Sequence, residues 1–237
     1  MERTKRWLDA HHSEKDFWDS MARDEHSILR VLASNAEKVP EVRAAMPPDA
    51  MSALEIGVGP FGLGVIGFLT EIPNRVTVEP IPPVSITASS SQQVELRDYI
   101  AVRRENIRYV LGYGEELPVK SESMDLVICC NVIDHSHDPS AILREAHRVL
   151  KPGGVFYFDV DTFSAVGLMK WHAWTKHRHK NEILVIGHPY RMREADIQRK
   201  LREAGFRLKR LHGHTFTSNL IGHARDSTFL GTKCNPS

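Results

Sequence analysis

A glycine-rich segment directly behind a short apolar run, Leu54-Glu55-Ile56-Gly57-Val58-Gly59-Pro60-Phe61-Gly62-Leu63-Gly64, narrows the folds open to this chain more than any other feature. Glycine adopts positive φ and lets the backbone approach a neighbour or ligand where a Cβ would intrude, so such a run after a strand marks a strand-to-helix turn. A second apolar run, Arg75-Val76-Thr77-Val78-Glu79, ends on an acid, and an acid at the tip of the next strand is placed to accept hydrogen bonds from ribose hydroxyls. The two runs together read as a nucleoside-binding half-sheet. Two further elements follow in the order a doubly wound sheet needs: Met124 through Asn131, and Val155 through Phe158 behind Leu150-Lys151-Pro152-Gly153-Gly154.

Periodicity and breakers fill in the rest. Strands are predicted at 52–57, 75–79, 107–111, 125–131 and 155–160, with helices at 62–72 and 91–103 between them. Asp138 and Pro139 open a helix as N-cap and first-turn proline, and Ile142, Leu143, Ala146, Val149 and Leu150 form its buried stripe. A helix over 193–204 ends at Gly205, and strands near 206–213 and 227–233 pair as an antiparallel hairpin closing one sheet edge. The expected fold is a Rossmann-like α/β domain with a seven-stranded, mostly parallel sheet and a terminal antiparallel hairpin. Upstream, Phe17, Met21, Ile28, Val31 and Leu32 recur at helical spacing, which predicts an amphipathic helix or helix pair over 13–38. Pro40 and Pro47-Pro48 then predict a linker over 39–50. Residues 1–48 are thus expected as an N-terminal helical cap, 49–237 as the main domain, and 162–190 as an insertion within it.

At 237 residues, 41% hydrophobic and 26% charged, the chain has enough apolar sequence for one good core. A formal net charge of +1 argues against a whole-protein electrostatic commitment to nucleic acid or a membrane surface. No apolar run approaches the roughly 20 residues of a spanning helix, and the polar start, Met1-Glu2-Arg3-Thr4-Lys5-Arg6, is no signal core, so a cytoplasmic location is expected. Three cysteines make no disulfide framework and have no zinc spacing. Adjacent Cys129 and Cys130 are expected to be buried on opposite faces of a strand.

The quoted residues resemble the class I S-adenosylmethionine-dependent methyltransferases, in particular the broad small-molecule group, over about residues 50–160. Glu55-x-Gly57-x-Gly59 is similar to that family's first motif, Glu79 to its ribose-binding acid, and Gly112-Tyr113-Gly114-Glu115-Glu116-Leu117-Pro118 to the loop framing the adenine. The chain departs from the pattern at Tyr113, where the family often has aspartate, and at Pro60-Phe61-Gly62, where a glycine commonly stands close behind Gly59. The resemblance implies S-adenosylmethionine as cofactor. It places the backbone of Gly57 and Gly59 beside the methionyl end, Glu79 on the ribose, Gly114 and Glu115 beside the adenine, and Asn131 near the sulfonium. A nicotinamide dehydrogenase is the competing reading, since Gly57-x-Gly59-x-x-Gly62 has dinucleotide spacing. The adenine-type loop, the Lys151-Pro152-Gly153-Gly154 turn and the terminal hairpin speak against it.

Beyond strand four, Ile133-Asp134-His135-Ser136-His137-Asp138 lies at the edge where this fold presents substrates. His135 is the expected proton acceptor for an oxygen or nitrogen nucleophile, with His137 as its comparison. Asp134, His135, His137 and Asp138 superficially offer metal ligands, but Asp138 is better explained as a helix cap, and no metal is expected. The run Lys170 to Lys180, with Trp171, Trp174, His172, His177 and His179, suits a cover over the site, with RNA as the other reading. The expected acceptor is a small molecule, a metabolite or sugar derivative, and a mild anion is compatible with the basic run. An RNA methyltransferase and a non-catalytic cofactor-binding module stand as alternatives.

Overall fold

The computed structural model describes residues 2–84, 91–177, 190–222 and 224–234. Helices α1 (Glu2–Met21) and α2 (Glu25–Ala45) lead into β1 (Ser52–Ile56), β2 (Asn74–Glu79), α3 (Ser91–Arg104), β3 (Ile107–Leu111) and β4 (Met124–Cys130). Then come α4 (Pro139–Val149), β5 (Leu150–Phe163), α5 (Ala165–His177), α6 (Glu194–Glu203), β6 (Phe206–His212), α7 (Phe216–Ile221) and β7 (Ala224–Lys233). The strands form one seven-stranded sheet in the order β3-β2-β1-β4-β5-β7-β6. The first five are parallel, and β7 runs antiparallel to both β5 and β6. This is the expected Rossmann-like sheet, and its order reverses between β1 and β4, which leaves a crevice at their carboxyl ends.

One apolar cluster joins Leu54, Ile56, Val127 and Phe156 to α4 and α6 through Ile142, Leu143, Ile197 and Leu201. The other face packs Ala53, Leu126, Ile128 and Tyr157 against Val39 and Val42 of α2. Cys129 belongs to the first cluster and Cys130 borders the second, as the alternation of a strand requires. Burial pushes both thiols well above the usual cysteine range.

Of the two forms expected for the N-terminal helical stretch, the chain takes the pair, longer than 13–38 and broken at residues 22–24, where Asp24 caps α2 by accepting from the His26 N–H. Three expectations about elements need correction. No linker occupies 39–45: α2 runs through Pro40 to Ala45 because Val39 and Val42 are buried against the sheet, which outweighs the hydrogen bond a proline forgoes. Residues 62–72 hold no α-helix, only a single 3-10 turn at Val65–Phe68. Glu55 holds that turn by accepting from the Val65 and Ile66 N–H groups at 3.0 and 2.7 Å, and a Cβ on Gly64 would stand 2.3 Å from the same carboxylate. Finally, β5 starts at Leu150, which pairs with Met124 before a register shift, so the Lys-Pro-Gly-Gly turn is a bulge inside the strand. Of the predicted insertion, α5 is described and 178–189 lies outside the described residues, as does the end of the basic run.

Candidate active site

The carboxyl ends of β1, β2, β4 and β5 open into a cavity of about 690 Å³ roofed by α1 and α2. That volume is typical of a small-molecule site. Gly57, Gly59, Glu55, Glu79, Gly114, Glu115, Asn131 and His135, the residues singled out from sequence, all line it.

Gly57 and Gly59 have φ of 73° and 71°, which only glycine adopts cheaply. A Cβ on Gly57 would lie 2.4 Å from a methyl of Val132. Glu79 is buried, and its two oxygens accept from the N–H groups of Gly59 at 2.8 Å and Ile81 at 3.0 Å. Burial pushes its carboxyl up to about 7, partly offset by those hydrogen bonds, and Glu55 is pushed up to about 7 for the same reason. Both acids therefore fix the shape of the glycine loop. Each oxygen of Glu79 retains a second lone pair for a ligand.

Gly114 is closely packed, since a Cβ there would stand 2.8 Å from Ile56 and 3.1 Å from Ile142. Glu115 accepts from the His137 N–H at 2.8 Å and more weakly from the Asp138 N–H at 3.3 Å, so it fastens the loop behind β4. Asn131 takes φ of 53° and donates its N–H to the Asp159 carbonyl at 2.9 Å, which turns the chain sharply out of β4 into the cavity. The loop that follows carries His135, whose ring lies 3.2 Å from Glu14 and 3.7 Å from Asp134. The two histidines separate: His135 borders the large cavity, whereas His137 lines a smaller hollow with Leu111, Pro118 and Glu116. Asp138 caps α4 through the Ser140 N–H at 3.1 Å, as its position before a proline suggests. Among the described residues no group of three or more His, Cys, Asp or Glu side chains is arranged to hold a metal ion.

Several residues of the cavity were not singled out in the sequence. Glu14 and Trp18 come from α1, and Lys38 from α2 forms an ion pair with Asp159 at 2.5 Å. Asp161 and Asp226 face each other across the β5–β7 ladder at the rim. Burial, with Asp226 alongside, pushes the Asp161 carboxyl up to about 6. The sequence signals for these were faint: Glu14 and Trp18 are one helical turn apart, and Asp159 and Asp161 alternate near the end of an apolar strand. Trp171 packs against Phe163, Trp174 and the Arg191 guanidinium, and neither tryptophan lines the large cavity.

A cavity over a glycine loop at the reversal of a seven-stranded sheet in which β7 alone runs against the other six strands defines a Rossmann-like α/β fold of methyltransferase topology. The comparisons take this one step further. Residues 54–158 match the family described as "Methyltransferase domain". The rat thiol S-methyltransferase TMT1B is 40% identical over 52 residues, which is 22% of this chain and 21% of that protein. Over a longer stretch, the ubiquinone biosynthesis O-methyltransferase of Parvibaculum lavamentivorans is 26% identical across 191 residues, covering 74% of this chain and 66% of that one. A solved structure titled as a SAM-dependent methyltransferase, possible histamine N-methyltransferase, from Thermotoga maritima has a TM-score of 0.58 at 22% identity, covering 94% of this chain and 98% of that one. Residues 54–158 are thus similar to a methyltransferase domain, and over nearly the whole chain the likeness to the solved structure is one of fold. Its alignments span only about a fifth of the length of the first curated relatives it matches, for example 21% of the rat protein.

Proposed function

We propose that the chain binds S-adenosylmethionine in the large cavity and transfers its methyl group to an oxygen or nitrogen of a small molecule. The observation carrying this reading is that one cavity holds both halves such a reaction needs. On one side lie the glycine loop and Glu79, and on the other His135, Asn131 and the acids of β5 and β7. The fit to the cofactor rests on the chain's own geometry: a loop held at positive φ by Gly57 and Gly59, and a buried acid at the end of β2 with lone pairs left to accept from ribose hydroxyls. The resemblance assigns Gly114 and Glu115 to the adenine side. Here Gly114 supplies close packing, while Glu115 fastens the loop that carries His135.

When bound, the cofactor supplies a methyl group already activated on a sulfonium. The protein's work is then alignment and exclusion of water, which can lower the barrier by several kcal/mol. The loop behind β4 presents His135 at the cavity wall, where its ring takes the proton that a hydroxyl or amine releases on becoming methylated. On the acceptor side, Asp159, Asp161, Asp226 and Glu14 outnumber Lys38 and Arg30, so a cationic or neutral amine suits the wall better than an anion. The thiol and arsenite named for relatives extend the range of nucleophiles to be tried.

The test has two parts. Calorimetry with S-adenosylhomocysteine should show micromolar or tighter binding, weakened at least tenfold in Glu79→Ala. Methyl-labelled cofactor should then label small amines or hydroxyl compounds from a panel that also contains thiols and RNA. Binding without labelling of anything would favour a non-catalytic module, and salt-sensitive labelling of RNA alone would replace the small-molecule reading.

A further inference from the structure

Glu14 reaches from α1 to the loop behind β4, where its Oε2 lies 3.2 Å from Nδ1 of His135. Its other oxygen accepts from Nε1 of Trp18 at 2.8 Å, one turn further along the helix. Trp18 lies so close over the glycine loop that a Cβ on Gly59 would meet its ring carbons at 2.7 and 2.8 Å, and its ring stands edge-on to Phe61 with centroids 5.7 Å apart. One carboxylate thus ties the helical roof, the glycine loop and the histidine together. Beside a carboxylate, which only accepts, the imidazole nitrogen that carries the proton is Nδ1, so the basic lone pair falls on Nε2. Asp134 Oδ2, at 3.7 Å from Nε2, is beyond hydrogen-bond length but close enough to steady an imidazolium.

We propose that Glu14 is a positioning residue for His135: it selects the Nδ1–H tautomer and does so only while α1 lies over the glycine loop. Roofing the cavity and orienting the base are then a single event. The proposal rests on the methyltransferase reading. In the step it serves, the acceptor's lone pair forms the bond to the methyl carbon, the acceptor's proton passes to His135 Nε2, and the carbon–sulfur bonding pair stays on sulfur. Glu14 stays beside Nδ1–H throughout and stabilises the imidazolium that results.

The test compares the full-length chain with Glu14→Gln, Glu14→Ala, His135→Gln and the Glu14→Gln/His135→Gln double variant. Lys15→Ala serves as control, since Lys15 is exposed on the same helix and pairs only with Asp19 at 2.8 Å among the ion pairs of the described residues. Nitrogen-15 imidazole spectra, with the His135 signal identified by its loss in His135→Gln, should show the Nδ1–H tautomer in the wild type. They should show a shift toward Nε2–H in Glu14→Ala, and no change in the control. In turnover, Glu14→Gln should lower kcat roughly threefold to thirtyfold, keep S-adenosylhomocysteine affinity within about twofold, and move the acid limb of the pH profile to lower pH. The double variant should be no slower than His135→Gln alone, because residues acting as one unit are not additive. An unchanged tautomer in Glu14→Ala, or effects that multiply in the double variant, would overturn the proposal in a chain that binds the product nucleoside. Failure of the wild type to bind S-adenosylhomocysteine would instead overturn the methyltransferase reading on which it stands.

Discussion

Glu79 accepts from two backbone N–H groups in a place nearly closed to water, and burial still prevails, holding its carboxyl at about 7. A folded-state pKa raised above the ordinary 4.5 means that, between about 4.5 and 7, the folded chain keeps a proton the unfolded chain has lost. Stability from this group is therefore complete below pH 4.5 and is lost as pH climbs to about 7, and Glu55 acts in the same direction. Urea midpoints of the ligand-free chain should fall between pH 5 and 8, and Glu79→Gln should flatten that slope; equal slopes would show that the acid is not held protonated. Ribose hydroxyls donating to the carboxylate would favour its charged form, so S-adenosylhomocysteine should bind roughly threefold to tenfold more tightly at pH 8 than at pH 6, with proton release that Glu79→Gln removes. That an acid would stand here was legible from the end of an apolar run. Its duty toward the Gly59 N–H was not, because a hydrogen bond between residues 20 apart depends on how the loop folds back.

At the scale of elements, the strands and α4 were legible because alternation, capping and proline punctuation act locally and agree with one another. Asp138 and Pro139 start α4, and its stripe of Ile142, Leu143, Ala146 and Val149 is buried in the order read. The misread elements are those where tertiary packing overrides local signals. Pro40 reads as a breaker, yet it lies exposed on α2, where the loss of one N–H is offset by Val39 and Val42 on the opposite face. Gly62, Gly64 and Gly67 read as a weak helix, and the Glu55 carboxylate holds the segment as a loop and a 3-10 turn instead. If α2 is part of the sheet's core, Val42→Ala should destabilise the chain by about 2 kcal/mol, because it removes two methyl groups from a site that is 0% exposed. Glu41 reinforces the same contact from the neighbouring turn, accepting from Tyr157 at 2.8 Å and bonding to His212 at 2.7 Å. Urea denaturation measures the change, and a loss below a few tenths of a kcal/mol would return α2 to the status of a loosely attached cap.

Over the whole molecule, a formal net charge of +1 conceals a strong local asymmetry. The basic residues read from sequence as a possible anion site run along 170–180; of these, the described α5 stretch lies outside the lining of the large cavity, and 178–180 lies outside the described residues. Along the cavity wall Glu14, Asp159, Asp161 and Asp226, from three separate elements, come together, because the antiparallel β7 returns beside β5 and α1 folds over the strand ends. Only the topology brings these elements together, so the faint local signals, such as the alternation of Asp159 and Asp161, do not announce the cluster. A wall on which acids outnumber bases raises the local concentration of cationic ligands, and added salt weakens the effect. In competition between an amine and a carboxylate-bearing acceptor of similar size, the amine should be methylated preferentially, by roughly tenfold or more at low ionic strength. The preference should shrink at high salt and again in Asp161→Asn, which neutralises one member of the Asp161–Asp226 pair at the rim. If the carboxylate-bearing acceptor were preferred, or if neither salt nor Asp161→Asn changed the ratio, acceptor choice would be governed by shape at the wall and not by its charge.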